Sequence, residues 1–114
     1  MKHLKYFESA SDNFYREIDM EEYYTINGRI DGQEWTVFDR REKEILQERC
    51  KCAVICVSEL AYIGDEKELY VKKGYDDWFL VKGYVGRNHK WWICDQFDGL
   101  LKLLDDLGFL KSSQ

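Results

Sequence analysis

Residues Glu68 to Leu101 read ELYVKKGYDDWFLVKGYVGRNHKWWICDQFDGLL, and this stretch decides the fold. Glu68–Lys73, Trp78–Val85 and Lys90–Cys94 are runs of β-branched and aromatic residues. The links Gly74-Tyr75-Asp76-Asp77 and Gly86-Arg87-Asn88-His89 are short and rich in turn residues, which predicts hairpins. Asp95 then opens an amphipathic helix as its N-cap, with Asp98 at N3 near the positive helix end. Phe97, Leu100, Leu101, Leu104 and Leu107 follow the 3-4 spacing of one apolar face. Gly108 closes the helix, leaving Phe109 and Leu110 to fold back on it.

Upstream, 53–63 (AVICVSELAYI) reads as one buried strand, with a helical continuation as the alternative. Thr36-Val37-Phe38-Asp39 offers a capping box for a helix running to about Arg49. Its core face would be Phe38, Ile45 and Leu46, with Arg40, Arg41, Glu42, Lys43, Glu44 and Glu48 in solvent. Residues 13–18 alternate as a short strand. Asp19 and Glu22 form another capping box, for a helix from Met20 to Asn27 that Gly28 stops. Residues 28–35 read as a loop turning at Asp31-Gly32. The expectation is a single α+β domain over 1–114 with no internal linker. It has an antiparallel β-meander of three to five strands, with two or three helices packed mainly on one face, including the C-terminal amphipathic helix.

A chain of 114 residues with 45% hydrophobic and 16% aromatic content can bury a core without staples. No apolar run approaches the ~18 residues of a membrane span, and MKHLKYFES lacks the apolar centre of a signal peptide. Three of the four cysteines (Cys50, Cys52, Cys56 and Cys94) crowd into seven residues, unlike a secreted disulfide framework. These features point to a cytoplasmic protein. The net charge of −5 disfavours a general grip on nucleic acid phosphates. Residues 1–38, with eight acids and four bases, form the acidic third, where Glu17, Asp19, Glu21 and Glu22 are candidates for docking on a basic partner.

The strand-to-helix ending Trp91-Trp92-Ile93-Cys94-Asp95-Gln96-Phe97-Asp98-Gly99-Leu100-Leu101 resembles an element of small accessory proteins of phages and large DNA viruses. Lys5-Tyr6-Phe7-Glu8 and Phe14-Tyr15-Arg16-Glu17-Ile18 look like their N-terminal pattern. The resemblance spans about a quarter of the chain and brings no catalytic residues. It implies a viral accessory protein in the host cytoplasm, acting on a host enzyme or defence complex. The ending is also similar in architecture to that of SMI1/KNR4-type immunity domains.

Catalytic signals are sparse. If 50–56 were a strand, Cys50, Cys52 and Cys56 would share a face and Cys94 could join them as a four-thiolate zinc set. The spacing lacks Cys-x2-Cys knuckles, and small buried thiols in a core are the simpler reading. His89 with Cys94 makes a poor nucleophile pair across a turn. Asp65-Glu66, Asp76-Asp77, Asp95/Asp98 and Asp105-Asp106 suit turns and caps better than a metal-dependent phosphodiesterase, which stands as the enzymatic alternative. No phosphate loop is present, and no cofactor is expected. Lys82-Gly83-Tyr84 copies the start of an RNA-recognition octapeptide, and the rest departs from it. A single-stranded nucleic-acid binder is the third reading.

The aromatic excess is the informative feature. Trp91 and Trp92 are adjacent, so in a strand they point to opposite faces. Trp78 and Phe79 likewise oppose each other. Large rings must therefore lie on the face away from the helices, whether covered by the N-terminal segment or by a partner. Tyr70, Trp78, Tyr84, Arg87, Trp91 and Trp92 are the partner-binding candidates, with Lys72, Lys82 and Lys90 expected among them. The occupant would be another protein, and a homodimer would satisfy the pattern as well. Gly99 inside the last helix predicts a close approach, to the sheet or to a partner.

Overall fold

Five of the six strands follow one another as antiparallel hairpins in a computed structural model that describes residues 14–29, 35–64, 68–75 and 77–111. In chain order they are β1 (Tyr15–Ile18), α1 (Met20–Arg29), α2 (Arg40–Arg49), β2 (Val54–Val57), β3 (Leu60–Gly64), β4 (Glu68–Lys73), β5 (Trp78–Val85), β6 (Asn88–Asp95) and α3 (Gln96–Asp106). The sheet order is β1-β6-β5-β4-β3-β2. The class is α+β antiparallel, as expected, but six strands exceed the three to five read from the sequence.

The sixth strand arises because 53–63 is a hairpin rather than one strand. Ser58 and Glu59 form a two-residue turn between Val57 and Leu60. Ser58 takes φ 58°, the left-handed conformation that glycine or asparagine normally supplies. At the next such turn Gly86 takes φ 65° in the expected way, and β6 begins two residues earlier than its turn-rich sequence suggests.

Helix α2 starts three residues later than expected. The Thr36 and Phe38 amides donate to the Lys73 and Ser58 carbonyls at 3.1 and 3.3 Å, which holds 36–38 extended. The capping box therefore forms from Asp39 and Glu42: the Glu42 amide donates to Asp39 Oδ1 at 2.8 Å, and the Asp39 amide to Glu42 Oε1 at 2.9 Å. Glu42, expected in solvent, is buried, and its carboxylate receives Lys73 Nζ at 2.7 Å. Helix α1 opens as expected, with the Glu22 amide donating to Asp19 Oδ1 at 2.7 Å. It continues through Gly28 to Arg29. The Asp31-Gly32 turn, Lys5-Tyr6-Phe7-Glu8 and Asp65-Glu66 lie outside the described residues.

Helices α2 and α3 cover one face of the sheet. Phe38, Leu46, Leu100, Leu103 and Leu104 meet Ile63, Leu69, Val71, Phe79, Val81 and Trp92 in one core. Leu103 joins the expected apolar face of α3, while Leu101 and Leu107 are half-buried. Asp95 is the N-cap by position, but its side chain does not accept a capping bond, because Gln96 enters the helix at φ 65°. Gly108 turns the chain at φ 84°, and Phe109 and Leu110 fold back into the core as expected. A Cβ at Gly99 would stand 2.2 Å from the Phe14 carbonyl oxygen, so the close approach is to the entry of β1. That same oxygen accepts the Asp95 amide at 2.9 Å. Helix α1 lies on the opposite face, where Ile18, Tyr23 and Ile26 pack on Trp78, Leu80 and Ile93.

Candidate aromatic surface

The face that α1 occupies is only partly covered by the described residues. Strand alternation and register set its rows. Across β6, β5, β4, β3 and β2, the pairs Lys82↔Trp91, Tyr70↔Lys82, Tyr62↔Tyr70 and Ile55↔Tyr62 line up one row. Toward the β5–β6 hairpin end, Tyr84 stands opposite His89. Their rings stack at 4.1 Å with 26° between planes, and Trp91 follows at 5.7 Å from His89. Tyr62 and Tyr70 meet edge to face at 5.2 Å. Glu68 accepts the Tyr62 hydroxyl at 2.8 Å, and the Tyr70 hydroxyl lies near its other oxygen. Lys82 stands over the rings of Tyr70 and Tyr24, at 5.7 and 6.0 Å. Between these groups lies a depression of about 450 Å³ lined by Glu68, Tyr70, Lys82, Gly83, Tyr84 and His89.

The adjacent tryptophans do face opposite ways. Trp92 is buried beneath α2 and α3, and Trp91 is half-buried on the α1 side. Trp92 therefore leaves the set of candidate docking residues. Trp78 lies on the aromatic face, but it is buried in the α1 cluster with its ring 5.4 Å from that of Trp35, so it leaves as well. Tyr70, Tyr84 and Arg87 are exposed. Lys72 shares the face but is drawn under α1, 4.2 Å from the Trp35 ring and 3.1 Å from Asn27 Oδ1. Lys90 is on the other face, paired with Glu17 at 3.2 Å.

The acidic candidates do not gather into one surface. Glu17 opposes Trp92 on the α2/α3 side, whereas Asp19, Glu21 and Glu22 sit at the start of α1. Glu22 pairs with Arg16 at 2.8 Å, and Asp19 caps the helix. Two members of the aromatic surface, Tyr62 and His89, are absent from the sequence-derived set. Parity with Tyr70 would have found Tyr62 had the Ser58-Glu59 turn been recognised. The two-residue turn at Gly86-Arg87 is the signal that pairs His89 with Tyr84.

The cysteines are core residues. Cys50 and Cys94 are buried, and Cys52 and Cys56 pack half-buried against the same core. Burial pushes the Cys50 thiol up to about 11 and raises Cys56 and Cys94 as well. That is opposite to the activation a reactive thiolate requires. His89 and Cys94 lie on opposite faces of β6. A second depression, of about 260 Å³, gathers Asp39, Glu42, Asp77 and Asp98 beside Arg41. Asp39 and Glu42 are engaged in the capping box, and Glu42 also holds Lys73. Among the described residues, no group of three or more His, Cys, Asp or Glu side chains is arranged to hold a metal ion. No described helix is long and apolar enough to cross a membrane. No protein-family model, curated protein or solved structure matches this chain.

Proposed function

We propose that this chain is a non-enzymatic binding protein that docks on another protein through the aromatic half-face around Tyr70, Tyr84, His89 and Trp91. The observation that carries the reading is the kind of side chain exposed there. Tyrosine and tryptophan present rigid apolar area with polar tips, at little entropic cost, and dominate interface hot spots. Tyr70 and Tyr84 are each at least 40% exposed while held by neighbours on the sheet, so the surface is pre-ordered for contact. The acidic route to a basic partner has less support, because two of its four carboxylates are neutralised locally and a third caps α1. Action in the host cytoplasm on a host enzyme or defence complex is the specific form that the C-terminal resemblance favours.

The test is capture from extract by the wild-type chain and by Tyr84→Ala/Trp91→Ala, with both melting temperatures measured. A stoichiometric protein retained by the first and lost by an equally stable second supports the reading. Retention by both would defeat it. The Tyr84–His89–Trp91 ladder beside Lys82 also suits stacked bases. Salt-dependent binding of single-stranded oligonucleotides, lost in the same variant, would favour that reading instead. A metal-dependent phosphodiesterase at the Asp39–Asp98 depression would gain melting temperature with Mn²⁺.

A further inference from the structure

We propose that Asn27-Gly28, in the last turn of α1, is a self-modification site where the Gly28 amide nitrogen displaces ammonia from the Asn27 side chain. It is the chain's one asparagine–glycine step, since Asn13 and Asn88 precede Phe14 and His89. A Cβ on the residue after asparagine hinders the five-membered ring that this attack closes, and glycine has none. A Cβ at Gly28 would meet nothing within 4 Å, and Gly28 is exposed, so space for the ring is open. Lys72 supplies the second requirement. Its Nζ donates to Asn27 Oδ1 at 3.1 Å. That bond draws electrons from the carbonyl carbon under attack and meets the negative charge its oxygen acquires.

A helical backbone holds the Gly28 nitrogen away from that carbon, so the last turn must open first. Its opening is cheap. Glycine costs a helix ~1 kcal/mol relative to alanine, and only Arg29 follows it in α1. The terminal carbonyls have no helical donors beyond them. Ile26, by contrast, is 1% exposed and packed in the cluster with Trp78, Leu80 and Ile93. The chain is therefore anchored up to the residue before Asn27 and loosely held after it. The Asn27 side chain stays at Lys72 while the Gly28 nitrogen swings round.

The step balances without an oxidant or a cofactor. The Gly28 nitrogen bonds to Asn27 Cγ, its proton passes through solvent to Nδ2, and the Cγ–Nδ2 bond breaks to release ammonia. Water then opens the succinimide at either carbonyl, leaving aspartate or isoaspartate at position 27. Both products set a carboxylate near the Lys72 ammonium, which stands 4.2 Å from the Trp35 ring. Isoaspartate also adds a carbon to the main chain, which the hydrogen-bond ladder of α1 cannot absorb. The change falls where α1 is tied to β4, beside Trp35 and Trp78, so it alters the helix's hold on the covered part of the aromatic face.

The test holds the folded full-length chain at neutral pH in heavy-oxygen water, then digests it for mass spectrometry. Position 27 should carry an acid with one heavy oxygen, while Asn88 keeps its amide. Lys72→Met should slow the native reaction about tenfold, the worth of one hydrogen bond from a charged donor, and Lys72→Arg should keep most of the rate. In urea, where that contact is gone, wild type and Lys72→Met should react alike. Gly28→Ala should abolish the change over the same interval. A folded wild-type chain that keeps its amide while the urea-unfolded chain loses it overturns the proposal. So does a Lys72→Met chain that melts cooperatively and still reacts, when folded, as fast as wild type.

Discussion

The two faces of the sheet are made from the same strands, yet neighbouring residues are sorted by what each face must tolerate. Toward α2 and α3 point Ile63, Leu69, Val71, Phe79 and Trp92, all buried. One position along the chain from each, on the α1 side, are Tyr62, Tyr70, Lys72, Trp78 and Trp91. Hydrocarbon goes where water is excluded, and rings with polar atoms or lysine stems go where water has access. Exceptions are the Trp92 indole and the ion pair Lys73–Glu42 on the closed side, and the buried Leu80 and Ile93 beneath α1. The ion pair's side chains are only 7% and 6% exposed. The second face is therefore mixed: it is buried where α1 covers Trp78, Leu80 and Ile93, and beyond the helix it presents rings with polar tips that tolerate water.

The largest test of that contrast is Phe79→Ala, which should cost ~3–5 kcal/mol and lower the denaturant midpoint accordingly. Tyr84→Ala, a deletion of similar size in the same strand, should stay within about 0.5 kcal/mol. Equal costs would mean that both faces are core. Next is Glu42→Ala, which leaves the buried Lys73 ammonium only the exposed Asp77 carboxylate, 4.0 Å away, and should cost ~3 kcal/mol. Replacing both, as Glu42→Leu/Lys73→Met, should recover most of that loss, since matched apolar groups tolerate the site. Gly99→Ala should cost about 1–3 kcal/mol, because the Phe14 carbonyl oxygen is backbone and cannot swing aside.

The smallest effect is on pH dependence. Burial pushes Tyr23 on the α1 side up to about 12 and Cys50 on the closed side up to about 11. In both cases the folded chain keeps a proton that the unfolded chain releases. Their contributions are complete below the ordinary values and are lost as pH climbs, from about 9 to about 11 for the thiol and from about 10 to about 12 for the phenol. Urea midpoints should therefore fall above pH 9, and Tyr23→Phe should flatten the upper part of that fall while Cys50→Ala flattens the lower. Asp106, held below the ordinary carboxylate value chiefly by the Tyr15 hydroxyl, contributes at neutral pH and loses its share only as acid carries pH below 3.8.

Where the chain marks its own turns, the fold was legible. β4 and β5 begin and end where the sequence indicates, because Gly74 and Gly86 flank clean runs of strand formers. The leucine spacing of α3 and its Gly108 stop were equally plain. The turn at Ser58 was hidden, since nothing in serine announces a left-handed backbone. The burial of Glu42 was hidden as well, because its partner Lys73 is 31 residues away. For the candidate surface, parity was enough to separate Trp91 from Trp92. It could not tell that Trp78 would be roofed and Tyr84 left open, because that depends on where α1 lands, and local pattern does not encode that.

The seating of β1 has a consequence for how the chain is born. Tyr15 pairs with Cys94, so its partner is polymerised 79 residues later. At roughly 5–20 residues per second, β1 and α1 wait on the order of ten seconds beside the ribosome while the hairpins from β2 onward can form. Ile18, Tyr23 and Ile26 are made early and housed late. Of the described elements, the earliest strand is thus held back until β6, the latest strand, has been made.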